Sequence, residues 1–228
     1  STDYNAINPS WGANSPATIY TGERKNDQTN VTLDWVRDFP TDLLFKPLTV
    51  SAGLAWRQEN YQLSAGAPAA SQNGPLFNTV DPVTGRRLAG YYSGITPVDA
   101  ASLQRKVLGA YVDVEGQVTE KFQAGVAVRT EHYSDFGDTT NGKLSLRYDF
   151  TPQIAARASA STGYRAPSLA QSGMSSFSVQ VVEQPPGSGN YVEVQQRTLR
   201  ANSPEAQALG GTQLKPEEST NYSLGLVW

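Results

Sequence analysis

Six side chains stand out for the chemistry they could do: Arg86, Arg87, Tyr91, Tyr92, Tyr164 and Arg165. Arginine forks and tyrosine ring faces bind anionic or sugar-like ligands through paired hydrogen bonds and stacking. All six sit in or beside long stretches rich in Gly, Pro, Ser and Asn, where ordinary loop side chains are the competing reading. Catalytic chemistry finds little support. The chain has no cysteine, which excludes disulfide frameworks, thiolate metal sites and cysteine nucleophiles. Its single histidine, His132, rules out a multi-histidine metal site and leaves little room for imidazole acid–base work. Asp135-Phe136-Gly137-Asp138 and the Asp81–Gly85 run lack the spacing of a calcium loop and read as turns. Glu183 and the Glu217-Glu218 pair do not form a marked acid–base couple. Asn30-Val31-Thr32 is a glycosylation sequon only formally, since it falls on a predicted strand. There is no phosphate-cradling glycine loop and no nucleophile elbow. The expectation is a non-enzyme with no metal and no cofactor.

What must position these residues is a β structure. The 228 residues suit one or two domains. Only 17% are charged, below the roughly 25% of an ordinary soluble domain. A net charge of −3 gives no reason to expect nucleic acid as a partner. No window of 18 apolar residues occurs and the N-terminus lacks the pattern of a signal peptide. Neither observation bears on a membrane β-barrel, whose strands of about 10 residues alternate and escape hydropathy windows.

Period-two alternation dominates. Leu144, Leu146, Tyr148 and Phe150 point one way, and Lys143, Ser145, Arg147 and Asp149 the other. After the Thr151-Pro152-Gln153 turn, Ile154, Ala156, Ala158 and Ala160 resume the apolar face, which predicts a hairpin. The same pattern predicts about seven strands, near 30–38, 48–63, 104–115, 121–134, 142–150, 153–164 and 219–228. Residues 17–24 offer an eighth. Trp35, Tyr148, Phe150, Tyr222 and Trp228 share the apolar face, several near strand ends, as in interfacial aromatic girdles. Charged residues such as Arg57, Glu59, Arg129, Glu131, Arg147 and Arg157 take the opposite face.

Short connections alternate with longer ones. Two are long loops, 64–102 and 165–216, and Asp135–Asn141 reads as intermediate. An up-and-down antiparallel meander would then carry its short turns at one end and its long loops at the other. Inside the last loop, Ser203-Pro204-Glu205 followed by Gly210 predicts a short helix over 204–209. Asp99 is placed to cap a turn at Ala100–Gln104.

Three segments carry a family resemblance. Arg129-Thr-Glu-His-Tyr-Ser-Asp-Phe-Gly137 resembles the strand end "R-x-E-x-Y-S-D-F-G" of TonB-dependent outer-membrane receptors. Gly163-Tyr-Arg-Ala-Pro-Ser-Leu169 resembles their "G-F-R-A-P-S-L" segment, and Leu214-Lys-Pro-Glu-Glu-Ser-Thr-Asn221 their "L-K-P-E-x-S-x-N" strand start. The resemblance covers roughly residues 28–228. It implies that the chain is one barrel piece in the bacterial outer membrane, part of a receptor for active uptake of a scarce siderophore, vitamin or carbohydrate. The six Arg and Tyr residues would then face the cell exterior, where ligand is captured. Outer-membrane lipid is the implied partner of the apolar face, and the TonB complex would act only through a plug region that this chain lacks. Barrels of this class have about 22 strands, so seven cannot close one. A piece cut from the middle of a longer chain is expected, with self-association of the isolated piece through its apolar face and open edges. The rival is a soluble all-β domain that binds a ligand or glycan. A secreted hydrolase ranks lower, for want of a catalytic set. Burial of Leu54, Val126, Leu146 and Ala158 in one dry interior between two packed sheets would favour the soluble reading.

Overall fold

The computed structural model describes residues 3–5, 7–88, 90, 94–189 and 191–228. In chain order, β1 (Asp3–Asn5) precedes a 3-10 turn at Pro9–Asn14, β2 (Thr18–Tyr20), β3 (Gly22–Phe39) and β4 (Leu48–Ala65). A short helix α1 (Pro68–Ser71) leads to β5 (Ala101–Gln117), β6 (Phe122–Tyr133), β7 (Gly137–Asp149) and β8 (Ala155–Arg165). Then come α2 (Leu169–Gly173), β9 (Ser176–Glu183), β10 (Tyr191–Thr198), α3 (Pro204–Ala208) and β11 (Glu217–Val227). Seven strands form one sheet in the order β11-β8-β7-β6-β5-β4-β3, a meander interrupted once between β8 and β11. β3 and β11 are its two edges, so the sheet is open.

The alternation reads out directly in the register. Val114, Val126, Leu144, Ala160 and Tyr222 are successive cross-strand partners and form one apolar row over five strands. A neighbouring row runs Ala124, Leu146, Ala158, Leu224. Residues one step along give Glu115, Gly125, Ser145, Ser159 and Ser223 on the other face. A one-residue slip would exchange the faces entirely. The apolar rows are not covered: Leu54 is 56% and Val126 52% exposed, and Leu224 84%. Leu146 and Ala158 are not buried either. Exposing a Leu or Val to water forgoes roughly 1.5–3 kcal/mol relative to burial. A stripe of this length is therefore built to meet an apolar medium. Tyr148 and Phe150 on this face meet edge-on with ring centroids 5.0 Å apart.

The chain divides into two compact units. One comprises Gln28–Glu59, Arg105–Pro167 and Lys215–Trp228 and holds the sheet rows just described. The other comprises Ser1–Asp27, Asn60–Gln104 and Ser168–Leu214. This second unit has two small cores. Ile19 packs with Ala69, Ala70 and Trp11, and Tyr61, Leu63 and Leu169 pack with Ile95, Leu103 and Ala170. Asn8, fully buried, ties the first core by donating Nδ2 to the carbonyls of Ala69 (2.8 Å) and Gln72 (3.2 Å).

The structure differs from the sequence expectations at several points. The first strand of the large sheet begins at Gly22, ahead of the expected start near 30; Glu23–Gln28 is polar on both faces and shows no alternation to detect. Residues 18–20 pair with β1 instead of adding a strand to that sheet. The β6–β7 connection is a tight turn, Ser134–Phe136, with Tyr133 opposite Gly137 at φ 78°. Asp99 does not cap a helical turn at 100–104, since β5 starts at Ala101. The predicted helix at 204–209 appears as α3, capped by Ser203 accepting from the Ala206 N–H. The long loop after β8 also contains α2, closed by a Ser168/Gln171 capping box, and the β9–β10 hairpin.

Candidate functional site

In the sheet unit, ion pairs line the polar face. Arg57 meets Glu59 at 2.8 Å, Arg129 meets Glu131 at 2.7 Å and Arg147 meets Asp149 at 2.8 Å. Each pair is spaced two residues apart on one strand, which places both partners on the same face. On the same face, over β5 to β8 and β11, lies an open depression of about 560 Å³, lined in part by Glu115, Lys143, Arg147, Arg157, Ser159 and Ser223. Arg147 and Arg157 are direct cross-strand partners, and Asp149 offsets the repulsion by accepting from Arg147 Nε at 2.9 Å.

Two of the three sequence motifs meet at Arg105, a residue the sequence did not single out. Arg105, 2% exposed, donates Nε to Asp135 Oδ1 (2.9 Å) and Nη2 to the Pro167 carbonyl (2.7 Å). Its Nη2 lies 2.8 Å from Asp135 Oδ2 and its Nη1 3.5 Å from Glu59 Oε2. The guanidinium carbon also stands 5.9 Å from the Tyr133 ring centre and 5.3 Å from that of Phe136. Asp135 belongs to the first motif and Pro167 to the second. Both therefore act at a structural junction: one bounds a turn, the other ends β8.

The six predicted binding residues fall as follows. Tyr164 sets its ring tilted, 5.3 Å from that of Tyr133, and its buried hydroxyl has no hydrogen-bond partner among the described residues. Arg165 is exposed, with Nη1 3.9 Å from Glu217 Oε2, a pairing of little energetic weight. In the other unit, Arg87 donates Nη1 to the Asn78 carbonyl (3.1 Å) and Oδ1 (2.9 Å), which ties it to its own hairpin. Arg86 is exposed at the end of the Asp81 turn. Tyr91 and Tyr92 lie outside the described residues. The structure thus places Tyr164 beside Arg165 and Arg86 beside Arg87, each pair within its own unit.

The Asp81 segment is a turn. Its carboxylate accepts from the Val83 N–H (2.9 Å) and the Thr84 hydroxyl (2.7 Å), and the Thr84 bond first, then Val83, holds the acid below the usual carboxylate range. Glu183 is likewise consumed at the tip of the β9–β10 hairpin, where the N–H groups of Gly187 and Gly189 lower its pKa. Among the described residues no cluster of three His, Asp or Glu side chains could hold a metal ion.

The family described as "TonB dependent receptor-like, beta-barrel" matches residues 1–228, which extends the resemblance to the first residue. No curated protein matches the sequence. Among solved structures, the siderophore receptor PirA from Acinetobacter baumannii is similar over 89% of this chain and 25% of its own, with TM-score 0.55 and 16% identity. PirA from Pseudomonas aeruginosa is similar over 92% of this chain and 31% of its own, with TM-score 0.56 and 14% identity. A mutant of the ferric enterobactin receptor PfeA from P. aeruginosa, in complex with enterobactin, is similar over 89% of this chain and 25% of its own, with TM-score 0.55 and 17% identity. At such identities these likenesses bear on the fold alone. The chain spans between a quarter and a third of the length of these structures. An open antiparallel meander with an uncovered apolar face, joined to a match along its whole length, places the chain in the TonB-dependent receptor-like β-barrel family.

Proposed function

We propose that the chain supplies part of the wall and outer loops of an outer-membrane receptor that takes up a scarce ligand, with ferric siderophores as the ligand class. The family is one of transport receptors rather than enzymes. The observation that carries the reading is the uncovered apolar face: the row Val114-Val126-Leu144-Ala160-Tyr222 has the right composition to meet lipid tails, with polar and charged side chains on the other side of the same strands. The ligand class rests on the similar structures, named as siderophore or ferric enterobactin receptors, one of them with enterobactin bound.

In this reading the 66–100 and 166–216 connections lie outside the cell, and the short turns at 40–47, 118–121 and 150–154 lie in the periplasm. Arg86, Arg87, Tyr91, Tyr92, Tyr164 and Arg165 are the candidate ligand contacts. Energy reaches the full receptor through TonB and a plug region.

The test is uptake of radio-iron by cells that express or lack the full gene under iron limitation, with catecholate and hydroxamate siderophores offered separately. Gene-dependent uptake of one class supports the proposal. Uptake of a vitamin or sugar, with no siderophore accepted, replaces the ligand class but leaves the receptor reading. Recovery of the full-length protein from the soluble fraction without detergent defeats the reading itself.

A further inference from the structure

We propose that Asp99 is a clamp that fixes the β9–β10 hairpin to the first long connection, so that the two long connections move as one body. The proposal rests on contacts inside one compact unit and goes beyond the transport reading.

The hairpin needs an external anchor. Among the described residues β9 and β10 pair only with each other, and an isolated two-stranded hairpin is marginal in water. The anchor is found at its root, where both legs are gripped by one side chain. Ser175, immediately before β9, donates its hydroxyl to Asp99 Oδ1 at 2.5 Å across 76 residues of sequence. Arg197, on β10, brings Nη1 to 3.8 Å from the same oxygen. Thr96 donates to Oδ2 at 2.5 Å, which orients the carboxylate from its own side.

A second arginine completes the joint. Arg200, two residues beyond β10, donates Nη2 to the carbonyls of Asp99 (2.9 Å) and Ala100 (2.6 Å) and Nε to that of Gly173 (3.3 Å). Asp99 is 1% exposed. A carboxylate so buried is tolerated only while its donors are in place. Withdrawal of the hairpin root would strand the charge, so the joint is closed as a whole or lost as a whole. The apolar cluster of Ile95 with Leu169 and Ala170 joins the same two connections. Anything that displaces one connection therefore displaces the other.

The test uses the full-length protein with spin labels at Val83→Cys, in the first connection, and Gln196→Cys, on β10. Pulsed dipolar spectroscopy should show one narrow distance peak. Asp99→Ala should lose that peak while the heat-dependent gel shift of the folded barrel is retained. Should Asp99→Ala fail to assemble, Ser175→Ala combined with Arg197→Gln removes two donors and leaves the carboxylate in place, and it should broaden the peak. A narrow, unshifted peak in whichever of these variants assembles overturns the proposal.

Discussion

The guanidinium of Arg105 lies edge to edge with the carboxylate of Asp135, with Nε 2.9 Å from Oδ1 and Nη2 2.8 Å from Oδ2, across 30 residues of sequence. The fork is filled from three sides, because Nη2 also serves the Pro167 carbonyl and Glu59 stands at Nη1. Arg105 is buried while Asp135 stays partly exposed, so loss of Arg105 removes hydrogen bonds to two carboxylates and a carbonyl without leaving a buried charge behind.

Arg105→Ala should therefore destabilise the folded protein by about 1–3 kcal/mol. Arg165→Ala, at an exposed pair, should stay within about 0.5 kcal/mol. Denaturant unfolding of the full-length protein in bilayers, followed by tryptophan fluorescence, compares the two. Equal effects would show that burial of Arg105 carries no weight.

The two faces of the sheet should respond oppositely to charge. Leu144→Arg places a cation in the apolar row and should cost roughly 2–4 kcal/mol if that row lies near the bilayer midplane. Ser145→Arg, one residue on and on the polar face, should cost far less. The same unfolding assay in bilayers distinguishes them, and a reversed order would mean that the exposed face is not the one that meets lipid.

Gly137 tests the tight turn that replaces the intermediate loop expected between β6 and β7. Its φ is 78° and a Cβ there would meet nothing within 4 Å. Gly137→Ala should cost about 1–2 kcal/mol from backbone strain alone, and Gly137→Asn noticeably less, as Asn tolerates this conformation. The difference in denaturation midpoint between the two variants is the readout.

The Asp99 carboxyl should make the hairpin root acid-sensitive. Burial opposes its ionised form, but the hydrogen bonds from Ser175 and Thr96, with the charge of Arg197, outweigh that and hold its pKa below the ordinary 3.8. A depressed folded-state pKa contributes stability that is fully present above 3.8 and is lost as the pH falls through the lower folded value. Proteolysis of the β9–β10 hairpin by pepsin should therefore accelerate over the acid range below pH 3.8 in the natural protein. In Asp99→Asn the step should be absent. An identical step in both would assign it to other groups.

Much of the sheet could be read in the residues. Alternation from Leu144 to Phe150, and again through Ala156, Ala158 and Ala160, is a local property of a period-two chain. Proline and glycine near the strand ends mark where pairing stops, as Pro167 does after β8. α3 announced itself through Ser203 and Pro204, whereas α2 depends on the same kind of signal at Ser168 and Gln171, which lies inside a motif and is easily read as a strand end. The start of β3 carried no signal, because Glu23–Gln28 is polar on both sides.

The candidate site was less legible. Arg105 stands between Gln104 and Lys106, and although Leu103 and Val107 two residues away share its face, nothing local names the partner of its charge. Asp99 resembles any turn aspartate. Their partners stand 30 and 76 residues away, and only the strand register and the return of the chain after β8 bring them together.

By itself, then, the order of residues determined which side of most strands of the large sheet is apolar, where the short turns after β3, β5 and β7 fall and which family the chain resembles, because these follow from alternation and short motifs within a few neighbours. The tertiary structure alone decided which charged groups are buried and what pairs with them. Desolvation and pairing depend on atoms far apart in the chain, so they have no local signature.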